Sequence, residues 1–158
     1  MLDPMNDLPR NAAADEIFVL EFDGASRGNP GPAGAGFAIR AKDGTVLCTG
    51  GEYHTSATNN FAEYRALIAG LTKAVELKIQ KLDVRGDSQL VIRQMSGQYK
   101  VRHPNIIPLY KIASDLAKKF SHISYHHLYR ESNTLADKLS NIAINKKGNQ
   151  DALSDVLE

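Results

Sequence analysis

Three strand-like segments open this chain, and helical patterns begin only after residue 57. This order restricts the fold more than any other feature of the sequence. The run Ile17-Phe18-Val19-Leu20, ending in Glu21-Phe22-Asp23, is short and rich in β-branched and aromatic residues, as expected of a buried strand. It stops at Gly24 and gives way to the turn-rich Gly28-Asn29-Pro30-Gly31-Pro32. Gly36 to Arg40 and Thr45 to Thr49 flank Asp43-Gly44, a strong short hairpin signal, and Glu52 to Thr55 can extend the second of these strands.

A long helix follows, capped by Thr58 or Asn59, with Ala62, Leu67, Leu71, Ala74, Val75 and Lys78 near one face. Gly70 within it implies close approach to a sheet. Lys81 to Arg85 reads as a strand through Leu82 and Val84, ending at Gly86-Asp87. Ser88 then caps a short helix, Leu90 to Met95, closed by Gly97. Asn105 opens another, in which Ile112, Leu116 and Phe120 repeat at four, with Ile106, Leu109 and Ala113 beside them. Pro108 is tolerated in its first turn. Ile123, Tyr125 and His127 alternate as in a strand, and a final helix starts near Asn133, burying Leu135, Leu139 and Ile142.

The predicted order is β-β-β-α-β-α-α-β-α, an α/β chain with a mixed sheet and helices on its faces. Residues 1–15 are polar and without period and read as a disordered N-terminal tail. Residues 16–145 read as one domain, and 146–158 as a flexible, polar C-terminal tail.

Composition narrows the class. The chain has 158 residues, 42% hydrophobic and 23% charged, which suits one globular domain with a real core. No apolar run approaches the roughly 20 residues that cross a bilayer, so no membrane is expected as a partner. The N-terminus lacks the basic start and apolar stretch of a secretory signal. The single cysteine, Cys48, cannot form an internal disulfide, which suits a reducing intracellular compartment, most simply the cytoplasm. The net charge of +1 hides an asymmetry: residues 17–147 hold 18 Lys and Arg against 11 Asp and Glu. That +7 body favours a polyanionic partner, although modest positive charge is also common in soluble domains.

Four of those acids are placed as if for chemistry. Asp23 ends the first strand and Asp87 the fourth, and parallel neighbouring strands bring such ends together. Glu63 falls in the first turn or so of the long helix, and Asp137 in the first turn of the last. Carboxylates are hard oxygen donors suited to Mg²⁺ or Mn²⁺, and no Cys/His cluster competes for a softer metal. Two such ions about 4 Å apart can activate water and stabilise the leaving oxygen of a phosphodiester. Each acid alone has a plainer reading: a helix-dipole partner for Glu63 and Asp137, a turn former for Asp23, part of a cap for Asp87.

The residues around these acids resemble a known family. Phe22-Asp23-Gly24-Ala25-Ser26-Arg27-Gly28-Asn29-Pro30-Gly31-Pro32-Ala33-Gly34 resembles the opening signature of ribonuclease H type 1. Thr58-Asn59-Asn60-Phe61-Ala62-Glu63, Gly86-Asp87-Ser88-Gln89-Leu90-Val91 and Arg130-Glu131-Ser132-Asn133-Thr134-Leu135-Ala136-Asp137 resemble its other three segments, in order, over roughly residues 17–144. The Arg-Glu-x-Asn before the last aspartate is similar to single-domain forms of archaea, some bacteria and plants.

The resemblance implies a ribonuclease H-like fold, a five-stranded mixed sheet in order 3-2-1-4-5. It implies a monomeric endoribonuclease that cuts the RNA strand of RNA–DNA hybrids with two Mg²⁺ ions, Mn²⁺ able to substitute, leaving 5′-phosphate and 3′-hydroxyl ends. Asp23, Glu63, Asp87 and Asp137 would be the catalytic metal ligands. Asn29, Asn59, Asn60 and Gln89 would contact substrate near the cut, and Thr58 a DNA phosphate. The plainer readings of Asn59 as a helix cap and of Asn29-Pro30 as a turn stand beside these.

Two departures stand out. The place of a catalytic-assist histidine is taken by His127, with His126 beside it, and Arg130 competes for that role. The basic, Trp-rich protrusion of some relatives is missing, so Lys100, Arg102 and His103 are the candidates for residual grip, expected to be strongly salt-dependent. The alternatives are a catalytically weak hybrid-binding module and a retroelement-derived nuclease domain of the same superfamily.

Overall fold

The computed structural model describes residues 15–148; the tail expected at 1–15, except Asp15, and most of that expected at 146–158 lie outside these residues. Strand β1 (Ile17–Ser26) takes the centre of the sheet because Phe18, Leu20 and Phe22 are apolar on one face and Val19 on the other, so both faces can be covered. It pairs antiparallel with β2 (Gly31–Arg40), which pairs antiparallel with β3 (Val46–Ala57). On its other side β1 runs parallel to β4 (Lys81–Gly86), and β4 runs parallel to β5 (His122–His127). The order is β3-β2-β1-β4-β5, the expected mixed sheet of a ribonuclease H-like fold.

Helices α1 (Asn59–Glu76), α2 (Gln89–Met95) and α3 (Ile107–Ala117) cover one face. The core there gathers Phe18, Leu20 and Phe22 of β1, Leu82 and Val84 of β4, and Tyr64, Leu67 and Leu71 of α1, with Val91, Leu109 and Ala113 from the other two helices. Helix α4 (Thr134–Lys146) covers the opposite face, where Leu139 meets Ala38 of β2. Its backbone rests directly on the sheet. A Cβ at Gly36 would stand 2.6 Å from both the Ala136 carbonyl oxygen and the Ser140 nitrogen.

The structure corrects several details of the sequence reading. Strand β1 does not stop at Gly24; it runs to Ser26, because β2 keeps pairing with it as far as Ser26↔Ala33 after the β4 partnership has ended at Phe22↔Gly86. Strand β2 begins at Gly31 rather than Gly36, and a register shift between Gly31 and Ala33 takes up Pro32, which has no N–H to give a ladder. Strand β3 is continuous through Gly50, where a Cβ would strike the Phe37 ring at 2.3 Å. Lys78 is not on the buried face of α1: the helix has ended, and Lys78 is exposed with φ +61.

In α3 the apolar repeat at four does not mark the buried side. Ile112 is 44% exposed, while Leu109 and Ala113 face inward and Phe120 is buried beyond the helix end. Asn105 does not cap this helix, which starts at Ile107 without a side-chain cap. In α4, Ile142 is half-buried and the deeper positions are Ala143 and Ile144, since Gly34 and Gly36 draw that side of the helix onto β2.

The contact at Gly36 yields a stability prediction. Gly36→Ala forces α4 off the sheet and is expected to cost ~1–3 kcal/mol, read as a lowered thermal midpoint; an unchanged midpoint contradicts this packing.

Candidate active site

Strands β1 and β4 end their parallel pairing at Phe22↔Gly86, so the next residue on each, Asp23 and Asp87, leaves the shared ladder side by side. Helix α1 begins against this edge. Gly24 admits it, for a Cβ there would stand 2.3 Å from the Ala62 carbonyl carbon and the Glu63 nitrogen. Glu63 is thereby held next to Asp23, one turn inside α1 rather than in its first turn, where no acid lies. Its position therefore owes nothing to an N-terminal dipole partnership.

Asp137 comes from the opposite face of the sheet, in the first turn of α4. Asn133, just before that helix and 1% exposed, donates from Nδ2 to the Phe22 carbonyl at 2.8 Å. This bond ties the start of α4 to β1 one residue before Asp23.

Asp23, Glu63 and Asp87 each offer a carboxylate oxygen, and these oxygens lie within 4.8 Å of one another. The Asp23 carboxyl also meets those of Glu63 and Asp137. Asp23 is 5% and Glu63 7% exposed. Burial first, and then the neighbouring Glu63 and Asp87 charges, pushes the Asp23 carboxyl far above the usual carboxylate range. Burial also raises Glu63, against the lowering effect of its hydrogen bonds with Asp23 and the Gly24 N–H. Glu63 Oε2 is buried with no hydrogen-bond partner. Without a cation, such a pair holds a proton between its members and leaves an oxygen orphaned. A divalent cation would satisfy both conditions, so this donor set fits Mg²⁺ or Mn²⁺.

A cleft of about 750 Å³ opens over the acids. All four border it, with Asn59 and Asn60 from α1 and with His127 and Arg130. The structure separates the adjacent histidines: His126 Nε2 lies 2.8 Å from Asp83 Oδ1, whereas His127 borders the acid cleft, edge-to-face against Tyr129. Asn29 and Thr58 line an adjoining groove of about 810 Å³, which shares Asn59 and Asn60 with the first and reaches His103. Gln89 lies with His127 and Arg93 in a smaller groove of about 310 Å³. Lys100 and Arg102 are exposed, and neither borders the acid cleft.

The cap of α1 is Thr58, whose Oγ1 accepts the Phe61 N–H at 3.2 Å. Asn59 does not cap; its Oδ1 accepts the Ser26 N–H at 2.9 Å, and Asn29 Oδ1 accepts the Asn59 N–H at 3.0 Å. These bonds tie the β1–β2 turn to α1 and leave the amide nitrogens of Asn29 and Asn59 available as donors. Several residues of the cleft, Ser26, Ser88, Tyr129 and Glu131 among them, have no metal or substrate role in the sequence reading. Glu131 is a fifth acid at its border, and Ser88, read only as a cap, does cap α2 and also borders the cleft. Asn133 acts as an anchor, and its place directly before a helix was the available signal.

A five-stranded sheet in this order, with clustered acids where β1 and β4 part, defines a ribonuclease H-like protein. A reverse transcriptase-like family profile matches residues 21–143. A bifunctional protein of Mycobacterium tuberculosis is 50% identical over 127 residues, 80% of this chain and 35% of that protein. Ribonuclease HI of Halobacterium salinarum is 42% identical over 123 residues, 78% of this chain and 62% of that protein.

Among solved structures, the N-terminal RNase H domain of the M. tuberculosis protein is similar with a TM-score of 0.81 and 48% identity, covering 83% of this chain and 95% of that one. LC11-RNase H1, solved with an RNA/DNA hybrid, has a TM-score of 0.78 and 35% identity, covering 82% and 98%. The chain belongs to the RNase H1 family, and it spans about a third of the length of the M. tuberculosis relative.

The charge arrangement predicts a pH response. Asp23 and Glu63 have folded-state pKa values above their unfolded values of about 4. Their contribution to stability is therefore full at acid pH and lost as pH rises through the raised values. In EDTA the thermal midpoint should fall as pH rises above about 4 into the alkaline range. Asp23→Asn should flatten that fall; a wild-type midpoint independent of pH contradicts the assignment.

Proposed function

We propose that this chain is a ribonuclease H that hydrolyses the RNA strand of RNA–DNA hybrids, with residues 16–145 as its catalytic domain acting as a monomer. The observation that carries this reading is the buried Asp23–Glu63 pair with an unpartnered oxygen, beside Asp87 and Asp137 in one cleft. Membership of the RNase H1 family, and the hybrid bound by LC11-RNase H1, support the choice of substrate.

Asp23, Glu63, Asp87 and Asp137 would hold two Mg²⁺ ions, with Mn²⁺ able to substitute. The ions would supply an activated water and stabilise the departing 3′ oxygen, leaving 5′-phosphate and 3′-hydroxyl ends. Asp23 and Glu63 are too buried to be solvated as two anions, so they would ionise together, releasing their proton to solvent, only with a compensating cation beside them. Asn59 and Asn60, at the start of α1 on the cleft border, would hold the RNA strand, where amide groups can distinguish a 2′-hydroxyl. Asn29, Thr58 and Gln89 would extend this grip into the adjoining grooves. His127 and Arg130 are both exposed at the cleft and free of a carboxylate partner within 4 Å among the described residues; His127 can serve proton transfer there, and Arg130, always charged, can assist by neutralising phosphate. The Arg-Glu-x-Asn segment would place the chain with the single-domain forms that carry it.

A labelled hybrid should be cut in Mg²⁺ and left intact in EDTA. A hybrid bound but uncut in Mg²⁺ makes the chain a binding module, and one neither bound nor cut overturns the reading altogether. Asp87→Asn removes charge but little volume, and should abolish cutting while hybrid binding persists; an active variant refutes its role. His127→Ala and Arg130→Ala, measured side by side, should show a loss of roughly 10²-fold or more in kcat for the residue that assists turnover, and no loss in either removes both.

A further inference from the structure

Asp137, like Asp87, differs from the buried Asp23–Glu63 pair in one respect. Asp23 and Glu63 are buried and fixed by packing, whereas Asp137 is half-exposed on the first turn of α4. Besides its meeting with the Asp23 carboxyl, a group on its own helix bears on its direction. One turn further on, Asn141 Nδ2 donates to the Asp137 carbonyl oxygen at 2.9 Å and reaches its carboxylate Oδ1 at 3.4 Å. Ser140 Oγ donates to the same carbonyl at 2.8 Å.

The amide of Asn141 is itself oriented from across the structure. Arg27 Nη2 donates to Asn141 Oδ1 at 3.4 Å. A guanidinium has donors only, so the amide must turn its oxygen to Arg27 and its nitrogen to Asp137. Arg40, Arg65 and Arg85 each pair with a carboxylate, at 2.7, 3.0 and 2.8 Å. Arg27 has no carboxylate partner within 4 Å among the described residues and meets the neutral amide instead. Its cation thus orients Asp137 at one remove, without occupying the carboxylate oxygens. Arg27 is anchored in turn, its N–H donating to the Pro32 carbonyl at 2.8 Å, within the turn that carries Asn29.

We propose that Asn141, held by Arg27, is a positioning residue that aims the Asp137 carboxylate at a divalent cation and links it to the β1–β2 turn beside the substrate grooves. The proposal rests on the reading of the four acids as a metal site. It assigns Asn141 and Arg27 no contact with the reacting atoms.

Mn²⁺ binding by calorimetry, without nucleic acid, tests it on the full chain, with Asp137→Asn as reference and circular dichroism as a check on folding. Asn141→Ala should weaken Mn²⁺ binding roughly tenfold, as loss of an orienting partner does at metal sites. Arg27→Ala should weaken it in the same direction and Arg27→Lys should restore part of the loss. The double variant should bind about as well as Asn141→Ala alone, because both residues act through one amide. Overturning results are Mn²⁺ affinity unchanged in Asn141→Ala while Asp137→Asn is weakened, or single losses that multiply in the double variant. A lowered thermal midpoint with unchanged affinity makes Asn141 merely structural and also overturns the proposal. A wild-type chain that binds no Mn²⁺ overturns the metal reading itself, and this proposal with it.

Discussion

The costly interaction in this molecule is the burial of two carboxyl groups against each other. Asp23 and Glu63 meet in a region nearly closed to solvent, with Asp87 and Asp137 adding negative charge at the border. Packed apolar residues in these places are often as stable or more so, since a buried carboxyl must either keep a proton or lose its hydration. Such an arrangement persists because the rest of the fold over-determines it, and the feature points to a ligand that compensates the charge.

The fold builds that meeting with small residues and one amide. Glycine at 24 lets the α1 backbone lie against β1, which fixes Glu63 beside Asp23. Gly34 and Gly36 let α4 lie against β2 from the other face, and Asn133 pins its start to the Phe22 carbonyl. Helices from both faces thus bring a carboxylate each to the place where β1 and β4 stop pairing. The asparagines at the cleft and its adjoining groove belong to the same frame: the carbonyl oxygens of Asn29 and Asn59 accept backbone N–H groups of helix and strand, which leaves their amide nitrogens as donors.

Much of this was legible in the sequence because it depends on local pattern. The strand and helix order, the hairpin at Asp43-Gly44 and the helix opened by Thr58 follow from periodicity and turn chemistry, and the sheet order from the family signatures. What was not legible depends on contacts distant in sequence. Ile112 fits the apolar repeat of α3, yet it is exposed because the helix turns Leu109 and Ala113 inward. Strand β1 outlasts its apolar run because β2, not the core, pairs with its last residues. The sequence alone offers both His126 and His127 beside the site, until Asp83, on the neighbouring strand, takes His126. Asn141 carried no signal at all, since its significance lies in a contact with Arg27, 114 residues away.

Crystals soaked in Mn²⁺ and measured at the manganese absorption edge test the central claim most directly. The account predicts anomalous density between the carboxylates of Asp23, Glu63 and Asp87, with Asp137 turned toward it. An empty cluster under saturating Mn²⁺, with Asp23 and Glu63 still sharing a proton, would contradict it.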